Sequence, residues 1–175
     1  MDIRTVIVGP LSTNCYLLIN GNDCLVVDPG DDYHLIVEAI GNLNVVGVLL
    51  THSHFDHIGA LKEIEDKYQV KVYSRENLEE KEYKIGSFIF DVIYTFGHTD
   101  DSVTYYFKSD QAMFVGDFIF KESIGRYDLP TASYEEMKSS LKKIKTYSDD
   151  IVIYPGHGEK TTLEYEKKYN VYLQS

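Results

Sequence analysis

Residues 45–50 form an unbroken apolar run that leads straight into Thr51-His52-Ser53-His54-Phe55-Asp56-His57. The run reads as a buried strand. A fold that buries it must also present three imidazoles and a carboxylate at its end. The chain has six histidines in all, and two more of them stand in glycine-flanked turns, Gly97-His98-Thr99 and Pro155-Gly156-His157-Gly158. Asp117 follows a second apolar run, within Met113-Phe114-Val115-Gly116-Asp117. Loops at strand ends are where binding and catalytic groups concentrate. Imidazole nitrogen combined with carboxylate oxygen suits zinc, iron or manganese. A lone histidine is ordinarily a surface or hydrogen-bonded residue, but histidines gathered in one loop with an aspartate, and recurring in glycine turns, read as metal ligands. His34 lies in a predicted helix without companions and is assigned no role.

The spacing has a geometric meaning. Alternate side chains of an extended segment point the same way, so His52 and His54 reach toward one ion. Asp56 and His57 fall where the chain turns into the next helix, and are better placed to serve a second ion beside the first. One histidine pair does not complete a coordination shell. His98, Asp117 and His157 are the candidates for the remainder, with Asp117 the natural bridge because a carboxylate has two oxygens. Two ions about 3.5–4 Å apart form the clamp used in hydrolysis. Asp28, in Val27-Asp28-Pro29-Gly30, is read as orienting a ligand from behind.

The rest of the chain punctuates into short elements. Strands are expected at 6–8, 15–19, 24–28, 70–73, 88–94, 102–107, 112–115 and 151–154, with a hairpin turn at 20–23. Asp31 or Asp32 caps a helix with Leu35, Ile36, Ala39 and Ile40 on one face, ending near Gly41. Leu61, Ile64 and Tyr68 mark a second helix. Ser133-x-x-Glu136 is a capping box for a third, with Tyr134, Met137, Leu141 and Ile144 inward. Thr161-x-x-Glu164 caps a closing helix. Runs of strands with helices interspersed point to two sheets flanked by helices rather than to a doubly wound fold. At 175 residues the chain is read as one domain.

These motifs, in this order, resemble the metallo-β-lactamase superfamily, and within it the small glyoxalase II-like (hydroxyacylglutathione hydrolase-like) hydrolases. The matching pieces are Thr51–His57, Gly97-His98-Thr99, Gly116-Asp117 and Pro155-Gly156-His157-Gly158. Supporting pieces are Leu11-Ser12-Thr13-Asn14-Cys15-Tyr16, Val27-Asp28-Pro29-Gly30 and Ser123-Ile124-Gly125-Arg126-Tyr127-Asp128-Leu129-Pro130. The resemblance implies an α+β fold, a four-layer αββα sandwich with the metals at one edge of the two sheets. It implies that His52, His54 and His98 hold one metal, that Asp56, His57 and His157 hold the other, and that Asp117 bridges them. Two divalent ions follow, zinc first, with iron or manganese compatible. Arg126 stands where related enzymes place a residue near the substrate, and its guanidinium suits a substrate carboxylate; the competing role is a salt bridge with Asp128. The C-terminal helical domain that grips glutathione in glyoxalase II proper is not expected here, because only enough chain for one short helix follows His157.

The expected activity is hydrolysis of a thioester or ester by a hydroxide held between two divalent metals. Asp56 is the catalytic candidate, orienting the water. A thiolate leaves readily, so no strong general acid is required. Two alternatives come from other classes. One is a persulfide dioxygenase with a single iron on His52 or His54, His98 and Asp117, where the family pattern takes His52. The other is a non-catalytic metal-binding module, against which the full set of seven ligands argues. A formal net charge of −11 argues against binding nucleic acid through bulk electrostatics. No segment has the length and apolarity of a membrane span. The N-terminus lacks the plan of a signal peptide. The two cysteines, Cys15 and Cys24, read as buried reduced thiols, which points to a cytoplasmic setting. The expected partner is a small-molecule substrate.

Overall fold

The structure is a computed structural model that describes residues 1–174. In chain order it runs β1 (Asp2–Val8), β2 (Thr13–Asn20), β3 (Asp23–Val27), α1 (Tyr33–Ile40), β4 (Asn44–Leu49), α2 (Phe55–Ile58), α3 (Leu61–Tyr68), β5 (Val72–Tyr73), β6 (Glu82–Ile85), β7 (Phe88–Tyr94), β8 (Val103–Phe107), β9 (Ala112–Gly116), β10 (Ile119–Phe120), β11 (Ser123–Ile124), α4 (Tyr134–Ile144), β12 (Val152–Pro155), β13 (Thr161–Thr162), α5 (Leu163–Tyr169) and α6 (Val171–Gln174). One sheet has the order β1-β2-β3-β4-β5 and the other β13-β12-β9-β8-β7-β6. β10 and β11 form a separate two-stranded ribbon. The first sheet is antiparallel through β3 and parallel from β3 to β5.

Side-chain alternation along the strands builds three apolar interfaces, and hence four layers. In β2, Cys15, Leu17 and Ile19 face outward onto Ile36 and Ile40 of α1 and Ile64 of α3. Tyr16 and Leu18 face inward onto Phe90, Tyr105, Phe107 and Phe114 of the second sheet. The far face of that sheet buries Met113, Val115 and Ile153 against Met137, Leu141 and Ile144 of α4 and Leu163 of α5. Edge-to-face ring pairs stiffen the centre: Phe90–Tyr105 and Phe107–Phe114, each with centroids 5.7 Å apart, add about 0.5–1.5 kcal/mol apiece beyond their area. Cys15 and Cys24 are buried free thiols.

Two tyrosines cross between the sheets. Tyr105 of the second sheet donates from Oη to the Leu50 carbonyl at 2.6 Å. Tyr16 of the first donates to the Pro155 carbonyl at 2.6 Å. Each pins the strand end that leads into a histidine loop of the opposite sheet.

Several local expectations are corrected. Asp32 precedes α1 but does not cap it; at φ 48° its carboxylate accepts from the Gly9 amide at 2.8 Å instead. Leu35 faces solvent, leaving Ile36 and Ile40 as the buried pair. Ser133 does cap α4, accepting from Glu136 N at 3.3 Å, but Tyr134 is exposed and stacks on Tyr127. The cap of α5 is Thr162 rather than Thr161, whose hydroxyl is taken by Glu166. Among the described residues no helix is long and apolar enough to cross a membrane.

Candidate metal centre

All seven residues singled out by motif converge at one edge of the sandwich, at the ends of β4, β7, β9 and β12. β4 ends at Leu49, and the extended link beyond it carries His52 and His54. Asp56 and His57 lie in the single turn of α2. His98 follows β7, Asp117 follows β9 and His157 follows β12.

Ring nitrogens and carboxylate oxygens form three clusters, of which Asp28 with His52 and His57 is wholly buried; the two partly open groups are His52 with His54 and His98, and Asp56 with His57 and His157. In the first, His54 Nδ1 lies 3.1 Å from His52 Nε2 and 3.0 Å from His98 Nε2. In the second, Asp56 Oδ2 lies 3.5 Å from His57 Nε2 and 3.2 Å from His157 Nε2. Ligands about 2.0–2.1 Å from a tetrahedral ion stand about 3.3 Å apart, so these spacings fit. Asp117 faces both groups. Its Oδ1 is 3.3 Å from His57 Nε2, while its Oδ2 is 3.5 Å from His157 Nε2 and 3.6 Å from His98 Nε2.

The opposite edge of nearly every ring is held, which selects the nitrogen left free. His57 Nδ1 donates to Asp28 Oδ2 at 2.9 Å. His98 Nδ1 donates to the Arg126 carbonyl at 2.8 Å, and His157 Nδ1 to the Leu11 carbonyl at 3.1 Å. His52 Nδ1 lies 3.0 Å from Thr51 Oγ1, which spends its own proton on Asp28 Oδ2 at 2.6 Å. These four rings therefore present Nε2 inward, and His54 presents Nδ1. Asp28 also accepts from the Thr51 amide at 2.8 Å, so one buried carboxylate orients the start of the loop and His57 together.

The polar residues of the Leu11–Tyr16 motif serve the same edge. Thr13 Oγ1 donates to Asp56 Oδ2 at 2.9 Å. Asn14 Nδ2 donates to the carbonyls of Pro155 and Gly158, and its amide to that of Gly156. Thr13, Asn14 and Tyr16 thus brace Asp56 and the His157 turn, roles that the sequence reading did not assign. Gly156 is required by close approach: a Cβ there would collide with Asp117 Oδ1 and come within 2.6 Å of His57 Cε1.

The electrostatics suit a cation. Burial holds the His52 ring well below its ordinary pKa, and the neighbouring His57 adds to that. Burial lowers His54 as well, with His98 adding to it. Burial also works against a charge on His57, yet Asp28 and Asp117 overcome it and bring the ring to about 10. Burial opposes ionisation of Asp117, but the His157 and His57 rings beside it hold its carboxyl well below the usual range. His57 Nε2 and Asp117 Oδ1 are buried atoms with no hydrogen-bond partner. Such orphans are rare in native interiors, and a cation between them satisfies both. His54, Asp56, Asp117 and His157 are only partly buried, leaving one side of the group open. Beside it lies a cavity of about 380 Å3 bordered by Leu11, Thr13, Phe55 and Asp56. The larger groove between Tyr134 and Lys142, about 620 Å3, touches none of these ligands. The Arg126 side chain is 68% exposed and forms a two-pronged bond to Asp128, at 2.9 and 3.1 Å; its carbonyl, not its guanidinium, touches the centre.

Comparison with known proteins agrees with this picture. Residues 8–82 and 76–157 match the metallo-beta-lactamase superfamily. The chain is 32% identical to the probable metallo-hydrolase YqgX of Bacillus subtilis, over 99% of this chain and 98% of that protein. It is 28% identical to the hydroxyacylglutathione hydrolase GloC of Haemophilus influenzae, over 100% of this chain and 99% of that protein. The crystal structure of TTHA1623 in a di-iron-bound form is similar with a TM-score of 0.87 at 31% identity, covering 97% of this chain and 99% of that one.

Proposed function

This chain belongs to the metallo-beta-lactamase superfamily, and from that membership we propose that it is a hydrolase of thioesters or esters that works with two divalent ions. The observation that carries the reading is Asp117, whose two oxygens face ligands of both groups, His98 on one side and His57 on the other. His52, His54 and His98 would hold one ion, Asp56, His57 and His157 the other, and Asp117 both. Bound there, such ions would supply Lewis acidity, lowering the pKa of a water and polarising a carbonyl oxygen.

The chain's own groups do the rest. Asp56, held by Thr13, orients the attacking water through its carboxylate. Asp28 and the carbonyls of Leu11 and Arg126 keep the rings in the required tautomers, so little reorganisation accompanies reaction. A thiolate leaving group asks for no acid, and the open side admits acyl groups of varied size. We read the substrate as a small or varied acyl thioester, including glutathione thioesters. The relative named hydroxyacylglutathione hydrolase aligns over 99% of its own length, which supports a role for that substrate class without a large added domain. Arg126 is proposed to favour anionic substrates.

The test is direct. Protein purified without chelator is analysed for metal per chain, and the same sample is assayed on acyl-glutathione thioesters, neutral acyl thioesters and a persulfide. Two ions per chain with thioester turnover is the expected result. One ion with oxygen uptake on the persulfide, and no thioester turnover, overturns it.

A further inference from the structure

Glu166, on α5, is fully buried. Its carboxylate accepts from Thr161 Oγ1 at 2.6 Å, Asn170 Nδ2 at 2.8 Å and the Glu122 amide at 2.9 Å. Asn170 Nδ2 also donates to the Ser123 carbonyl at 2.9 Å. Lys121 and Glu122 make the turn of the β10–β11 ribbon, with Glu122 in the left-handed region at φ 59°, and Ser123 opens β11. Gly125 N then donates back to the Phe118 carbonyl at 3.2 Å. Gly125 runs so close to the centre that a Cβ there would collide with the Asp117 carbonyl and stand 3.1 Å from His98 Nδ1. The next residue, Arg126, supplies the carbonyl that holds His98 Nδ1 at 2.8 Å. Residues 118–126 are thus a strap: its near end holds the His98 ring, and its far end is tied to Glu166 and Asn170. Neither main sheet includes the ribbon in its hydrogen-bond ladder; Phe118, Ile119 and Ile124 rest on the far face of the second sheet by apolar packing, and directional bonds at the tip come from α5 and the residue after it.

For stability alone, a well-packed apolar residue often serves as well as a buried charge. Here the Thr161 and Asn170 donors fix the Glu166 carboxylate, and that carboxylate in turn holds the strap by the Glu122 amide. We propose that Glu166, together with Asn170, is a positioning residue for the metal centre, setting through the strap the place and tautomer of His98. What His98 holds rests on the two-ion reading above. The action falls first on His98, although Phe120 of the strap also sets its ring 6.1 Å from that of His157. Asp56, His57 and His157 are oriented by Thr13, Asp28 and the Leu11 carbonyl, none of which belongs to the strap.

The full-length protein, loaded with cobalt(II), is dialysed against graded chelator. Cobalt per chain, the visible absorption spectrum and the melting temperature are recorded. Glu166→Leu removes the acceptor of the Thr161 hydroxyl and of the Glu122 amide and leaves Asn170 Nδ2 with only the Ser123 carbonyl. Glu166→Gln keeps an oxygen for Glu122 and Asn170 while its amide donates to the Thr161 hydroxyl. The expected result is that Glu166→Leu releases one ion at about tenfold lower chelator, with a changed spectrum, while the other ion is retained, and that Glu166→Gln restores both. A wild-type chain holding a single ion overturns the two-ion reading, and the strap is then judged on that ion's release. A folded Glu166→Leu with wild-type cobalt affinity and spectrum overturns the positioning role, as does equal loss of both ions. Should Glu166→Leu not fold, Asn170→Ala, which frees the Ser123 carbonyl, is put through the same measurement with the same outcomes.

Discussion

On the two-ion reading, replacing Asp28 by asparagine should cost the centre one ion without reshaping the fold. The carboxylate is 2% exposed and has three donors to satisfy. Its Oδ1 accepts from the Thr51 amide at 2.8 Å, and its Oδ2 accepts from Thr51 Oγ1 at 2.6 Å and His57 Nδ1 at 2.9 Å. A backbone N–H only donates, so in Asp28→Asn the amide oxygen stays at the Oδ1 position and the NH2 takes the other. The Thr51 hydroxyl can turn to accept from it. His57 Nδ1 accepts only by moving its proton to Nε2, the atom that faces Asp56 and Asp117. The swap therefore favours the tautomer that keeps its proton on Nε2: in the wild type an ion can displace that proton while Nδ1–H keeps its carboxylate acceptor, and in the variant the same displacement leaves Nδ1–H facing an NH2. Loss of such an outer partner lowers metal affinity about 10–100-fold, or about 1.4–2.7 kcal/mol. The metal-free chain also loses a buried charged pair, at about 3 kcal/mol. Chelator competition on the loaded protein, read as metal per chain, should fall from two to one at a chelator concentration that leaves the wild type full. Nitrogen-15 shifts of His57 report the tautomer. An Asp28→Asn protein with both ions at wild-type affinity and a protonated Nδ1 would refute the reasoning.

Other perturbations follow the same geometry. On the same two-ion reading, Asp117→Ala removes a carboxylate that faces both groups, so turnover and metal retention should collapse while the circular dichroism spectrum stays native; normal metal content would remove its bridging role. Gly156→Ala drives a methyl into Asp117 and His57, and should reduce metal content and kcat with little change in secondary structure, as metal analysis and steady-state rates would show. Arg126→Ala should leave the melting temperature unchanged, because the side chain is exposed and its ion pair is with the equally exposed Asp128, but should raise KM for acyl-glutathione more than for a matched neutral thioester. Stripping the metal should lower the melting temperature reversibly, since an ion at a hundredfold excess over its Kd contributes about 2.7 kcal/mol.

The residues that carry the chemistry were legible because their types are scarce and their spacing is local. Three histidines in one loop, and two in glycine turns, need no knowledge of the partner strand. The main strands were legible for a related reason, since apolar runs such as 45–50 and 88–94 show themselves. The braces were not. Tyr16 and Asn14 act on Pro155 from 139 and 141 residues away, and nothing in either segment names the other. β6, Glu82–Ile85, is a charged edge strand defined by its pairing with β7 rather than by its own pattern. Tyr134 fitted a helical stripe yet turned outward, because Tyr127 offers it a ring 4.8 Å away. Thr161 looked like a cap, but Glu166 had the stronger claim on its hydroxyl.

The sheets divide the polypeptide in order: the first is complete by Tyr73, and the second begins at Glu82. Asp28, His52 and His57 all lie in the first stretch, but each of the two partly open groups takes two members from the first stretch and one from the second. The centre is therefore a seam. During synthesis the first stretch emerges with His52, His54, Asp56 and His57 already in its sequence, but neither group has its third member until His98 and then His157 dock. On the two-ion reading, a stalled or severed chain carries an unfinished pair, and uptake of the second ion marks the moment when the last strand has closed. Two fragments parted between Tyr73 and Glu82 would have metal as the signature of correct reunion.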